Sequence, residues 1–409
     1  MKKIKLFVVT LLTVLLLGGP SATASSRIDA AAAMMVDAET GQVIYEQNAN
    51  KKLPVASITK LLTMLVIEDE IQQKQLSWNS QVKITPEVAA ISNDPAYSAI
   101  GLKEGQSYSV RMLINAMLVS SGDGAAAALA SATGDGTDEF NLKMVNKANK
   151  LGIHDITIVN AVGLNNGDMK DLKLADLPTT AANTMSARDV AIISQYLVKN
   201  YPEILQITAQ KQTKYQLTKG QVKTGENLNK MLPGGKYTVK GVKIDGLKTG
   251  TSDEAGACFV STGTYHHHRI ITVVLHANGK DKDKRFVATQ ELYNILKNEE
   301  HLQTIKVPAS ATTKKVSNGA ERTMNLRPRE VAFWNPYDTK IDYTIGTQYR
   351  KSLMNKNGHF EAPIWKGKQV GQLRIASDQI KTLNDEPLTY PLYNSHDIQR
   401  GNFWQRLWH

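Results

Sequence analysis

The sequence predicts an α+β protein, in which a domain of helices with a late antiparallel sheet is followed by a small all-β domain. Two observations carry that expectation. Apolar residues recur at helical spacing through the first half, then give way near residue 239 to alternating or short buried runs. From about Thr304, short apolar runs are punctuated by Gly, Pro and Asn turns. The length of 409 residues suits about two domains. At 42% hydrophobic and 21% charged, the composition excludes wholesale disorder. The single cysteine, Cys258, excludes an intrachain disulfide and a multi-cysteine metal site.

The first 24 residues read as a secretory signal peptide. Lys2, Lys3 and Lys5 form a basic start, Leu6 to Leu17 an apolar stretch, and Ala22-Thr23-Ala24 a small-x-small cleavage site. Removing this segment and its three lysines from 409 residues and +11 leaves 385 residues and +8. An exported chain does not meet nucleic acid. Its diffuse positive charge suits either an anionic envelope surface or simple solubility.

Along the mature chain, Ala33-Met34-Met35-Val36 and Val43-Ile44-Tyr45 flank the turn Asp37 to Gly41, which predicts a hairpin over 31–47. After Pro54 a helix starts near Ser57, with Leu61, Leu62, Leu65 and Val66 on it. A second helix covers about Val110 to Val119 and breaks at Ser120-Ser121-Gly122-Asp123-Gly124. An alanine-rich helix follows, Ala125 to Ala132. Ser186 is placed to cap a helix through Val190, Ile193 and Leu197. Val242 to Asp245, Ala257 to Val260 and Ile270 to Leu275 read as strands, closed by a helix from about Lys284 to Lys297. Beyond lie short strands at Ile305–Val307, Val331–Trp334, Tyr343–Ile345 and Gln372–Ile375. The expected division is 1–24 signal peptide, 25–303 first domain, 304–392 β domain and 393–409 tail. In that tail Phe403, Trp404, Leu407 and Trp408 fall at i, i+1, i+4, i+5 beside Arg400 and Arg406. Such a helix suits a membrane interface, or it packs on the β domain.

Three short segments carry chemistry. In Ser57-Ile58-Thr59-Lys60, serine and lysine at i, i+3 share one helix face. A serine hydroxyl needs a base, and a lysine whose pKa is depressed by burial or positive potential can be that base. Ser121-Gly122-Asp123 sits between two apolar helices, where a loop can present short polar side chains into a cleft. Lys248-Thr249-Gly250-Thr251 follows an alternating strand. On an edge strand Lys248 and Thr249 can hold a carboxylate, Gly250 allows close backbone approach, and the Thr251 N–H can meet an oxyanion. Each motif alone is weak. Ser80-Gln81-Val82-Lys83 and Lys223-Thr224-Gly225 repeat two of them in unpromising surroundings.

In this order and spacing the three motifs resemble those of the serine penicillin-recognising enzymes. The flanks Pro54-Val55-Ala56-Ser57-Ile58-Thr59-Lys60-Leu61, Met185 to Val190 and Asp245-Gly246-Leu247-Lys248-Thr249-Gly250-Thr251 are similar to the D-alanyl-D-alanine carboxypeptidases, low-molecular-mass penicillin-binding proteins of peptidase family S11. The resemblance covers roughly 28–300 and extends to the β-rich C-terminal domain and amphipathic anchor. It implies a β-lactamase/transpeptidase-like catalytic domain acting on peptidoglycan stem pentapeptides, acylated by β-lactam antibiotics, with no metal or cofactor. It implies Ser57 as nucleophile, Lys60 as base, Ser121 as proton relay, the Ser57 and Thr251 N–H groups as oxyanion donors, and Asp123, Lys248, Thr249, Gly250 and Thr251 as substrate-binding residues.

One departure matters. The second motif usually ends in asparagine, and this chain has Asp123. An ionised carboxylate cannot donate to a substrate backbone, and near Lys60 it favours the protonated lysine. A catalytically weakened peptidoglycan- or penicillin-binding module is therefore the alternative reading. A β-lactamase would need a deacylating glutamate that Glu226-x-x-Asn229 does not supply, and transpeptidation differs only in its acceptor. Cys258 reads as a small core residue, and His266-His267-His268 as a hairpin turn rather than a metal site.

Overall fold

The computed structural model describes residues 27–328 and 330–407. The expected targeting segment, and Trp408 and His409 of the tail, lie outside them.

The strands β1 (Ala30–Asp37) and β2 (Val43–Gln47) form the expected hairpin. A 3-10 turn, Ala56–Thr59, runs directly into α1 (Lys60–Gln72). Next come α2 (Pro86–Ser92), α3 (Val110–Val119), α4 (Asp123–Ala130), α5 (Thr137–Lys150) and α6 (Ala187–Asn200). A small hairpin follows, β3 (Gln212–Thr218) and β4 (Gln221–Glu226). Three long strands, β5 (Lys243–Ser252), β6 (Gly256–Tyr265) and β7 (His268–Ala277), lead to α7 (Lys284–Asn298). The main sheet is antiparallel in the order β2-β1-β7-β6-β5, so β5 is an edge strand, the placement that the reading of Lys248 required.

This sheet is buried on both faces, which explains why its strands read as continuous apolar runs. On β1, Met34 and Val36 join one core with Leu61, Leu65 and Val273, while Ala33 and Met35 face the other with Phe259, Val274 and Leu292. The period of two sends alternate residues to opposite layers. Phe259 meets Phe286 of α7 edge-on, ring centres 5.0 Å apart. Helix α1 carries apolar residues around most of its circumference, and Leu61 through Ile67 are all buried. It is thus the central helix of the first layer rather than a surface one. Helix α6 starts as anticipated: Ser186 Oγ accepts from Asp189 N at 3.1 Å, and the Asp189 carboxylate accepts from Ser186 N at 2.8 Å.

Helices α2 and α5 and the β3–β4 hairpin were not anticipated. Helix α5 is polar overall, but Phe140, Met144 and Ala148 bury one face at i, i+4, i+8. Strand β3 alternates, with Thr213, Tyr215 and Leu217 buried between exposed neighbours. Helix α2 is short and capped by Thr85 Oγ1.

In the C-terminal part a strand occupies Glu300–Thr304, just before the expected Ile305–Val307, and pairs with Ala332–Pro336. A six-stranded sheet runs in the spatial order Thr344–Tyr349, Gln369–Ala376, Leu388–Asn394, Thr323–Pro328, Thr313–Ser317, Phe360–Glu361. Its core gathers Met324, Phe360, Val370, Leu373, Leu388 and Leu392. The β1–β2 turn docks this part onto the first. Gln42 bonds both ways with the Trp334 backbone (2.6 and 2.8 Å), and Trp334 Nε1 donates to the buried Asp37 carboxylate at 3.1 Å. The tail forms one short helix, Phe403–Leu407, with Phe403 and Trp404 exposed. Among the described residues no helix is long and apolar enough to cross a membrane.

Candidate active site

The 3-10 turn at Ala56–Thr59 places the first motif. In a 3-10 turn residues i and i+3 eclipse, a tighter alignment than the α-helix expected here. Ser57 Oγ accepts a hydrogen bond of 2.6 Å from Lys60 Nζ. Lys60 is completely buried, and its ammonium also donates to Asp123 Oδ1 at 2.7 Å and to the Val162 carbonyl at 2.8 Å. Burial pushes the Lys60 pKa below the ordinary lysine value, and the Asp123 charge pulls it part of the way back.

Asp123 is the first residue of α4 rather than a loop residue. Both its oxygens are taken by the protein, since Oδ2 accepts from Ser98 N at 2.8 Å. Ser121 precedes it with φ of 61°, a left-handed conformation that side chains other than glycine adopt at a cost. The Ser121 hydroxyl accepts from Lys248 Nζ at 2.9 Å. Lys248 also donates to its neighbour's carbonyl, Thr249 O, at 2.9 Å. It is fully buried, and burial first, then the Lys60 charge, hold its pKa well below the usual value.

These side chains meet at a cleft of about 810 Å³ whose lining includes Ser57, Ser121, Asp123, Thr249 and Thr251. Lys60, Lys248 and Gly250 lie beneath it. Gly250 was expected to let the strand's backbone come close to a ligand. Its close neighbour is the protein's own: a Cβ there would stand 2.6 Å from the Val55 carbonyl and 3.0 Å from Ile58. The glycine lets β5 press against the turn that carries Ser57.

Residues without a motif complete the site. Arg285 of α7 lines the cleft, nine-tenths buried, and its Nη1 donates to Thr251 Oγ1 (2.8 Å), Gly250 O (3.0 Å) and Cys258 O (3.3 Å). The Val162 carbonyl that meets Lys60 is aimed by Asn160, whose Oδ1 accepts from Val162 N (3.0 Å) and Gly163 N (2.7 Å). Arg285 has no local signature, because its partners Gly250, Thr251 and Cys258 are distant in sequence. Ser80 and Lys83 do not form a site: Ser80 Oγ is engaged by Ser77, and Lys83 is exposed on a short strand. Lys223-Thr224-Gly225 lies on β4, whose Gly225 packs against Ser120. His268 pairs with Asp37 at 2.9 Å. Cys258 is buried, which pushes its thiol up to about 11.

The family model of the D-alanyl-D-alanine carboxypeptidases, peptidase S11, matches residues 20–279. The D-alanyl-D-alanine carboxypeptidase DacF of Bacillus subtilis (strain 168) is 26% identical over 355 residues, covering 86% of this chain and 82% of that protein. The crystal structure of a peptidoglycan synthesis regulatory factor (PBP3) from Streptococcus pneumoniae is similar with a TM-score of 0.80 and 29% identity, over 91% of this chain and all of that one. Penicillin-binding protein D2 from Listeria monocytogenes in its cefotaxime-bound form superposes at a TM-score of 0.55 with 29% identity, over 66% of this chain and 98% of that one. With a serine, two buried lysines and a second serine converging on one cleft, and the family model spanning well over half the sequence, the chain belongs to peptidase family S11, the serine-type D-alanyl-D-alanine carboxypeptidases among the low-molecular-mass penicillin-binding proteins.

Proposed function

We propose that the protein removes the terminal D-alanine from peptidoglycan stem pentapeptides through an acyl-enzyme on Ser57. The observation that carries this reading is the 2.6 Å bond between Lys60 Nζ and Ser57 Oγ at the floor of the cleft. Ser57 Oγ adds to the carbonyl carbon of the penultimate D-alanine and gives its proton to neutral Lys60. The N–H groups of Ser57 and Thr251 receive the oxyanion. As the C–N bond breaks, Ser121 passes its proton to the leaving amine and takes one from the Lys248 ammonium behind it. Thr249 and the Arg285 cation at the cleft receive the terminal carboxylate, with Lys248 behind them. Once D-alanine has left, the proton held by Lys60 passes to Lys248, which restores both lysines. Water then attacks the ester, losing a proton to neutral Lys60, which returns it to Ser57 Oγ as the acyl C–O bond breaks.

A β-lactam carries the same carboxylate and a strained amide, so it acylates Ser57 and leaves slowly. The cefotaxime-bound relative supports that expectation. The signal segment supports export to the outer face of the cytoplasmic membrane. The exposed Phe403 and Trp404 beside Arg406 support weak contact of the tail with that surface. The proposed division is 25–303 catalytic, 304–392 β-rich and 393–409 tail.

The Lys60–Asp123 ion pair favours a second reading, a weakened module that binds stem peptides or penicillin with little turnover. One assay separates the two. D-alanine release from a diacyl-L-Lys-D-Ala-D-Ala tripeptide is measured for the chain from Ser25 and for Ser57→Ala. Release lost in the variant supports the carboxypeptidase. No release from folded protein, with penicillin still bound, supports the weakened module.

A further inference from the structure

The second Lys-Thr-Gly of the sequence lies against the active cleft. It belongs to the β3–β4 hairpin, in which Thr213 pairs with Gly225 and Tyr215 with Lys223. Tyr215 is fully buried, and its hydroxyl is hydrogen-bonded to Ser120 Oγ. Gly225 makes this possible: a Cβ there would run into both the Tyr215 hydroxyl and Ser120 Oγ. Lys223 Nζ fastens the hairpin to the Ala99 carbonyl at 3.0 Å, next to Ser98, whose N–H holds Asp123. The hairpin thus grips both sides of the second motif.

Ser120 is the last residue before the left-handed Ser121 and closes α3, its N–H bonded to Ala116 O. A left-handed serine persists only where its surroundings hold it. Its neighbours do so through Ser120 on one side and through Gly122 N–H to Ala116 O, 2.9 Å, on the other. Burial pushes the Tyr215 pKa up, so the phenol stays neutral and keeps its bond across the working pH range.

We propose that Tyr215 is a positioning residue, which through Ser120 holds the Ser121 hydroxyl in line between Lys248 and the leaving amine. This rests on the carboxypeptidase reading. It assigns the hairpin's Lys-Thr-Gly an architectural part in the reaction, with Gly225 as the residue that lets the phenol reach Ser120.

The test uses the chemistry of the leaving group. A peptide's amine must collect a proton as its C–N bond breaks, and Ser121 delivers it. A thioester analogue with the same acyl part loses a stable thiolate when its C–S bond breaks and needs no proton there. Both acylate the same Ser57 with the same Lys60. Tyr215→Phe keeps the buried ring and removes only the hydroxyl. Its kcat on the peptide is expected to fall about tenfold with KM little changed, while its kcat on the thioester stays within about twofold. Ser120→Ala, a half-buried change that spares the core, reproduces this pattern. The double variant is no worse than either single one, because both cut one link. Equal losses on the two substrates, or full activity of both single variants on the peptide, overturn the proposal. Absence of Ser57-dependent turnover in the wild type removes the carboxypeptidase reading and this inference together. An unchanged peptide-to-thioester ratio in both variants removes the inference alone.

Discussion

Lys60 and Asp123 form a buried ion pair of 2.7 Å directly beneath the nucleophile, with Lys60 wholly enclosed and Asp123 at the edge of the cleft. The pair sets the protonation problem of this enzyme. The base must be neutral to accept the Ser57 proton, burial drives it that way, and the carboxylate opposes it. An amide at position 123 would leave burial unopposed.

Asp123→Asn therefore makes Lys60 easier to deprotonate. Acylation requires the neutral lysine, so its rate rises with pH through the Lys60 pKa. Removing the carboxylate lowers that pKa and moves the rising limb to lower pH. At about pH 7 we expect acylation by a fluorescent penicillin to quicken roughly tenfold, with convergence toward wild type on the alkaline side. An unmoved limb, measured as rate against pH, would show that Asp123 does not restrain the base.

Arg285 brings a cation to the cleft that Lys248, bonded to Ser121 and Thr249 O, does not expose. Replacing it by glutamine should lower kcat/KM about 10- to 100-fold for peptides with a free terminal carboxylate, the usual range for a lost charge-assisted hydrogen bond. Peptides ending in an amide should lose much less. Equal losses on both would assign Arg285 a structural part only, through Gly250 O and Thr251.

Gly250→Ala tests the contact between β5 and the nucleophile's turn. The added Cβ meets the Val55 carbonyl at 2.6 Å, so strand and turn must separate. Overpacking of this kind costs about 1–3 kcal/mol. We expect a lowered melting temperature together with slower acylation of Ser57. Unchanged acylation in a protein of lowered stability would show that the turn does not move.

The Asp37–His268 pair, with Trp334 on the same carboxylate, makes the junction between the two parts pH-dependent. The hydrogen bond to Asp37 raises the His268 pKa above its usual 6.5. A raised folded value means that its contribution is complete below the unfolded value and fades as pH rises through the folded one. The His268 and Trp334 contacts also hold Asp37 below its usual 3.8 against burial, so that contribution fades on the acid side. Melting temperature should accordingly decline on the alkaline side of about 6.5 in the wild type and not in His268→Gln. Trp334→Phe should cost about 1 kcal/mol for its lost bond at any pH between those limits.

Much of the fold could be read from periodicity. The β1–β2 hairpin, α1, α3, α6 with its Ser186 cap, the late sheet and α7 all announce themselves by spacing and capping residues. Helix α5 was missed although Phe140, Met144 and Ala148 mark its buried face, because polar residues dominate the rest. The β3–β4 hairpin was missed although Thr213, Tyr215 and Leu217 alternate, because only one narrow face of a two-stranded element is buried.

The site divides along a physical line. The sequence by itself determined the chemistry at short range: Ser57 and Lys60 three residues apart, the order of the three motifs, Lys248 at the end of an alternating strand, and an acid at position 123. A turn of backbone places such neighbours, whatever the rest of the chain does. The tertiary structure alone decided which distant groups meet them. Asp123 reaches Lys60 across 63 positions, the Val162 carbonyl across 102, and Lys248 reaches Ser121 across 127. Arg285 and Tyr215 join the site only because α7 packs on β6 and β7, from where Arg285 reaches β5, and because the hairpin folds back over the end of α3. No local pattern encodes those meetings. They follow from how buried faces of separate elements close on one another, and that closure also made a base that burial discharges and a neighbouring carboxylate recharges.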